Sequence, residues 1–263
     1  MQKNTILTLG YQTVKIDAGE LVSYEVSGHE FIHQKGSPGW RNSDTEMFPI
    51  IGPTDKANFR VKTPKGEAIQ DQHGLLREMH HALTEQTATT AVFTKRYKAN
   101  SVIQNSKFPH KSTEEQLSWP YDFEFTKTVL LMNEGLQITF GISGETGMPF
   151  MLGYHPAFKL DTANASIKTN TKRISIAEVM AVGNRALHVP NCEEIILSDS
   201  QSIEITTTGF RGFMLWTEVA NMVCIEPITF YPYIVAQENL HEGFTILGSH
   251  KKEYAILLKP LKN

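Results

Sequence analysis

Three short segments set titratable side chains into otherwise apolar stretches: Asp71-Gln72-His73-Gly74-Leu75-Leu76-Arg77-Glu78, Gly153-Tyr154-His155-Pro156-Ala157-Phe158 and Cys224-Ile225-Glu226-Pro227. In the last two, a histidine and a glutamate each stand immediately before a proline. Proline fixes its own φ and biases the residue before it toward extended backbone, so His155 and Glu226 are expected on stiff main chain near strand ends. A rigidly presented imidazole or carboxylate suits proton transfer. The plainer reading of either residue alone is a satisfied buried histidine or a glutamate on an edge strand.

Other chemistries find less support. Adjacent residues on a strand face opposite ways, so His80 and His81 cannot both reach one ion. His29 and His33, four apart, lie too far along a strand to chelate, and Cys-based zinc spacing is absent, so no metal is expected. No Gly-rich phosphate loop, G-x-S-x-G elbow or Cys/His nucleophile arrangement is present. The two cysteines, Cys192 and Cys224, sit in apolar contexts and read as buried free thiols.

The elements that must position these groups are strands. Alternating or β-branched segments recur from end to end, among them TILTLG, LVSYEV, AVFTKRY, FEFTKTVLL, LQITFGI, SIEITTT, GFMLWTE and YAILLK. Ser27-Gly28 and Asn133-Glu134-Gly135 read as hairpin turns. Helices are expected to be few: one over STEEQLSW, with Ser112 or Thr113 as cap, and a turn near Ile174 to Met180. With no repeat, low-complexity tract or Pro/Ser-rich linker, residues 1–263 read as a single all-β domain of packed antiparallel sheets or a closed barrel.

Lys and Arg total 25 against 28 Asp and Glu, for a net charge of −3, without a basic run; a nucleic-acid partner is not expected. The N-terminal apolar run is too short for a secretory signal and no stretch reaches membrane-spanning length, so no membrane partner and a cytoplasmic location are expected.

In order along the chain, GELVSYEVSGHEFIHQ, Phe48-Pro49-Ile50-Ile51-Gly52, HGLLRE, MPFMLGYHPAFKL and MVCIEP resemble the aldose 1-epimerase, or galactose mutarotase-like, family, particularly its shorter LacX-type bacterial branch. The second, third and fourth resemble the FP-hydrophobic-G, HGxxR and G-x-HP-x-F motifs of that family. The resemblance implies an antiparallel β-supersandwich with few short helices and an isomerase without metal or organic cofactor. It implies Glu226 as general base, His155 as general acid, His73 as a second imidazole near the ring oxygen or an adjacent hydroxyl, and Arg77 as a binding cation. The partner it implies is a small-molecule aldohexose, free or phosphorylated, taken by a monomer or a homodimer.

Anomer interconversion removes the proton of the C1 hydroxyl while the ring oxygen O5 gains one, so the C1–O5 bond opens and the aldehyde face rotates. An ionised glutamate and a histidine with a reference pKa of about 6.5 suffice. Trp40, Trp119, Tyr154, Phe158 and Tyr231 are candidate aromatic platforms for the sugar, with Tyr154 and Phe158 favoured because they flank His155.

The chain departs from the family after Glu226-Pro227, where ITFYPYIVAQ stands in place of a Gly- and Asp-bearing loop, and at Ser143-Gly144-Glu145, where an Asn-containing turn is usual. Alternative readings are therefore a noncatalytic carbohydrate-binding β-domain and an epimerase of a hexose 6-phosphate, with Lys35, Arg41 and Arg77 as cations for the phosphate. A glycoside hydrolase would need a second placed carboxylate.

Overall fold

The computed structural model describes residues 4–40 and 44–261. Its largest element is a nine-stranded antiparallel sheet whose spatial order is Arg173–Ser175, Ser166–Lys168, Glu194–Ser198, Ile203–Thr208, Lys252–Pro260, Gly135–Gly144, Phe123–Met132, Thr90–Tyr97 and Ala82–Gln86. A six-stranded sheet faces it, ordered Leu187–Pro190, Gly212–Trp216, Met222–Ile228, Gly153–Tyr154 and Glu46–Met47, with Ala157–Lys159 also paired to Met222–Ile228. The N-terminal strands Thr5–Leu9, Gln12–Asp17, Glu20–Val26 and His29–Glu30 form a separate four-stranded meander. This is the expected all-β supersandwich.

Period-2 alternation is visible in the central hairpin. Along Phe123–Met132, every odd-numbered residue is buried and every even-numbered one is partly exposed. Phe125 and Phe140 from the large sheet meet Phe48 and Tyr154 from the facing layer, with ring centroids 5.5 Å apart for Phe48–Phe125 and 5.1 Å for Phe140–Tyr154. The Asn133-Glu134 turn joins Met132 to Gly135 as expected. Ser27 and Gly28 take left-handed φ of 52° and 84° in the other hairpin.

The inward phase of Phe123–Met132 also contains Lys127, which is fully buried. A cation there needs anions, and Asp44 and Glu46 supply them, with their oxygens 2.5 and 2.7 Å from Lys127 Nζ. The Tyr154 hydroxyl donates to the same Asp44 oxygen at 2.5 Å. This polar cluster ties the short Glu46–Met47 strand and its neighbour Gly153–Tyr154 to the middle of the large sheet.

The helix expected over STEEQLSW is not formed: Gln116–Leu117 is a strand paired with Ile103–Gln104. Leu117 and Trp119 are both buried while Ser118 between them bonds the Ile69 carbonyl, so burial on alternate residues overrides the capping signal. The turn near Ile174 to Met180 is a helix, Ile176–Val182, with Ser175 and Glu178 forming a capping box. Among the described residues no helix is long and apolar enough to cross a membrane.

Candidate functional site

The site is assembled by register on the strand Met222–Ile228. Gly153 pairs with Ile228, and Ala157 pairs with Cys224, so the two short strands on either side of His155-Pro156 share one antiparallel register. That register sets His155 opposite Glu226. Pro156 has no N–H to give, and the His155 N–H turns away to donate to the Thr45 carbonyl at 2.9 Å. On the other side, Gly212–Trp216 sets Met214 against Glu226 and Trp216 against Cys224. Cys224 and Glu226, two apart, share a face of the strand.

The result is a contact between the two expected proton-transfer groups: His155 Nε2 lies 3.4 Å from Glu226 Oε1, with side-chain exposures of 12% and 2%. The imidazole is sandwiched by aromatics. Trp40 lies over it with centroids 5.3 Å apart, and Trp216 meets it edge-on at 6.1 Å. His155 Nδ1 is buried without a hydrogen-bond partner among the described residues.

His73 stands perpendicular to His155, with ring centroids 5.5 Å apart. Its Nδ1–H donates to the Ile51 carbonyl at 3.0 Å, which leaves Nε2 with a free lone pair. The backbone at His73 and Gly74 is left-handed, with φ of 74° and 73°. A Cβ on Gly74 would fall 2.2 Å from the Phe48 carbonyl oxygen, so only glycine lets this loop dock where it does. Asp71 fixes the loop from its other end, accepting from Asn105 at 3.0 Å and Lys107 at 2.8 Å. Arg77, in the turn Leu76–Glu78, has its Nε 3.6 Å from Glu78.

Burial controls the protonation of this group. It pushes the Glu226 carboxyl well above its ordinary range and takes the His155 imidazole down to about 4, the Arg77 charge adding to the latter effect. Burial, His155, Arg77 and Lys107 together hold His73 well below 6.5. The Cys224 thiol is pushed well up by burial and by Glu226. An ionised Glu226 with a protonated His155 is the sequence expectation. Desolvation works against that charged pair, raising the Glu226 carboxyl and lowering the His155 imidazole.

His73, His155, Glu226, Arg77 and Trp40 are thus brought together. Tyr154 and Phe158 are not: both are fully buried, because neighbours of His155 along the chain face away from it into the core. Their expected place in the pocket wall is corrected to a supporting one. Trp119 is likewise core, packed on Tyr121 and Phe244. Tyr231 stacks on His188 at 4.1 Å in the departing loop after Glu226. Lys35 pairs with Glu20, and Arg41 lies outside the described residues.

Sequence reasoning missed Trp216, Lys107 and Cys224 as neighbours of the site. Cys224 was legible, two residues before Glu226 on one strand; Trp216 arrives by its pairing with Cys224 and Lys107 by its hydrogen bond to Asp71. A surface hollow of about 780 Å³ is lined by Lys168, Asn170, Glu193 and Arg211.

Residues 56–195 match the model of a family described as aldose 1-epimerase. A galactose mutarotase-like protein from Lactobacillus casei superposes with a TM-score of 0.79 at 16% identity, covering 98% of this chain and 100% of that one. A galactose mutarotase related enzyme from Lactobacillus acidophilus gives 0.76 at 17%, covering 99% and 98%. A galactose 1-epimerase from the same organism gives 0.64 at 12%, covering 97% and 93%. At these identities the superpositions show a shared fold. No curated protein matches the chain.

Proposed function

The chain belongs to the aldose 1-epimerase family, and on that premise we propose that it interconverts the α and β anomers of an aldohexose by acid–base ring opening at Glu226 and His155. The observation that carries this reading is the 3.4 Å approach of His155 Nε2 to Glu226 Oε1 beside the rings of Trp40 and Trp216, with both side chains largely withdrawn from solvent. Residues 1–263 act as one catalytic unit.

The pair holds one proton. Protonated Glu226 with neutral His155 and ionised Glu226 with protonated His155 differ only in where that proton sits, and 3.4 Å separates the two sites. A sugar hydroxyl donating to Glu226 favours the ionised carboxylate and so moves the proton to His155. Glu226 then takes the C1 hydroxyl proton as His155 delivers its own to O5. The C1–O5 bond breaks, the aldehyde rotates, and the transfers reverse on closure. His73, whose Nε2 is free, accepts from a hydroxyl beside O5, and Trp40 covers one face of the ring.

Polarimetry of freshly dissolved α-D-glucose and α-D-galactose tests the proposal. Wild-type protein should accelerate mutarotation over buffer, and Glu226→Gln or His155→Asn should each cost about 10²- to 10⁴-fold while remaining folded. A hexose 6-phosphate is the second reading, favoured by Arg77 and Lys107, whose charges both reach His73. Acceleration confined to the phosphorylated sugar would select it, whereas binding without acceleration would select a noncatalytic carbohydrate-binding role.

A further inference from the structure

Cys224 has no part in that reaction, yet its thiol lies beside both groups that do. One donor atom from each of His155, Cys224 and Glu226 falls within 4.8 Å of the other two. A tetrahedral zinc ion takes nitrogen and oxygen ligands at about 2.0 to 2.2 Å and sulfur at about 2.3 Å, which sets neighbouring ligand atoms roughly 3.3 to 3.7 Å apart. The His155–Glu226 edge already measures 3.4 Å. The other edges, at most 4.8 Å, need contraction of no more than roughly 1.5 Å.

The ligands are also presented rigidly. Cys224 and Glu226 share one face of the strand Met222–Ile228, which is buried along its whole length, and His155 is set across from them by the pairing at Ala157–Cys224 and Gly153–Ile228. Imidazole, thiolate and carboxylate together form a donor set that favours a borderline-soft divalent cation over magnesium or calcium. Among the described residues neither lysine nor arginine forms a salt bridge with Glu226.

We propose that His155, Cys224 and Glu226 form a three-ligand site for one thiophilic divalent cation of the Zn²⁺ class, and that the bound ion closes the cleft to sugar. The binding half rests on this geometry alone; the blocking half rests on the proposed function. Binding is ligand exchange without redox change. The ion sheds waters, the Cys224 thiol and the Glu226–His155 pair release their protons to solvent, and a remaining water completes the coordination. Occupation removes the carboxylate oxygen and the imidazole lone pair needed for proton transfer.

Cobalt(II) titration of the reduced, metal-stripped full chain reads the binding half directly. One equivalent should produce a thiolate-to-cobalt charge-transfer band, displaced by zinc, lost in Cys224→Ser and kept in Cys192→Ser, whose sulfur donates to the Glu194 carbonyl elsewhere. X-ray absorption of the wild-type zinc form needs no variant: it should show one sulfur at about 2.3 Å and nitrogen or oxygen ligands at about 2.0 to 2.2 Å. Absence of sulfur, or a band that survives Cys224→Ser, overturns the site. Equimolar zinc should abolish the acceleration of mutarotation and a chelator should restore it. Sulfur-ligated zinc with an unchanged rate overturns the blocking half. A metal-free protein without mutarotase activity counts against the proposed function, while the spectra still decide the site.

Discussion

The Thr45 carbonyl accepts the backbone N–H of His155 at 2.9 Å, and the residues on either side of Thr45 are the two carboxylates that clamp Lys127. The imidazole is therefore positioned by a strand that is itself pinned to the central sheet by a buried ionic cluster.

Lys127→Met should destabilise the fold by about 3 to 5 kcal/mol, because Asp44 would remain buried without its cation and Glu46 would keep only the more distant Lys95, at 3.8 Å. Neutralising both carboxylates in the same chain, with Asp44→Asn and Glu46→Gln, should recover only part of that loss, since buried Lys95 then loses Glu46 in turn. Urea denaturation of the single and triple variants measures both, and a single variant as stable as wild type would refute the dependence.

The pH dependence of mutarotation follows from the shared proton. His155 has its pKa lowered to about 4, so acidification through about pH 4 adds a second proton and removes the acceptor; the enzymatic rate should fall there rather than near 6.5. At the alkaline end the rate should fall as the pair loses its only proton. Imidazole NMR of His155 should titrate in the same acidic range. Arg77→Met should move that midpoint upward by removing a positive charge that opposes protonation; a midpoint at 6.5 in the wild type would contradict the assignment.

Gly74→Ala should be costly at a position with no buried side chain to lose. The left-handed backbone and the approach to the Phe48 carbonyl both exclude a Cβ, and displacement of the loop carries His73 with it. A stability loss of about 1 to 3 kcal/mol is expected, together with a raised KM for the sugar. Thermal unfolding and saturation kinetics on the same sample separate the two effects.

Tyr154→Phe separates wall from support. Removing the hydroxyl that donates to Asp44 should cost about 1 to 3 kcal/mol in denaturant stability. Because the ring does not face the cleft, KM should stay at the wild-type value. A several-fold rise in KM at full folding would return Tyr154 to the binding surface.

Much of this protein is written locally. Alternation over FEFTKTVLL and LQITFGI marks the central strands, Asn133-Glu134 marks their turn, and the proline after each of His155 and Glu226 marks stiff presentation of a proton-transfer group. These signals depend on neighbours in the chain, so composition and spacing carry them. The STEEQLSW segment shows the limit of such signals, since a capping pattern lost to burial of Leu117 and Trp119 against distant partners.

What the tertiary structure alone decided is which residues meet. Whether His155 falls opposite Glu226 or one residue away depends on antiparallel register, and a one-residue slip would reverse every face, as the inward turn of Tyr154 and Phe158 illustrates. Lys127 looks like a surface residue within its strand until Asp44 and Glu46 are placed beside it. The upward shift of the Glu226 carboxyl is likewise a property of burial. Sequence determines the groups and their stiffness, whereas pairing between distant strands and the removal of water determine their contacts and their charge.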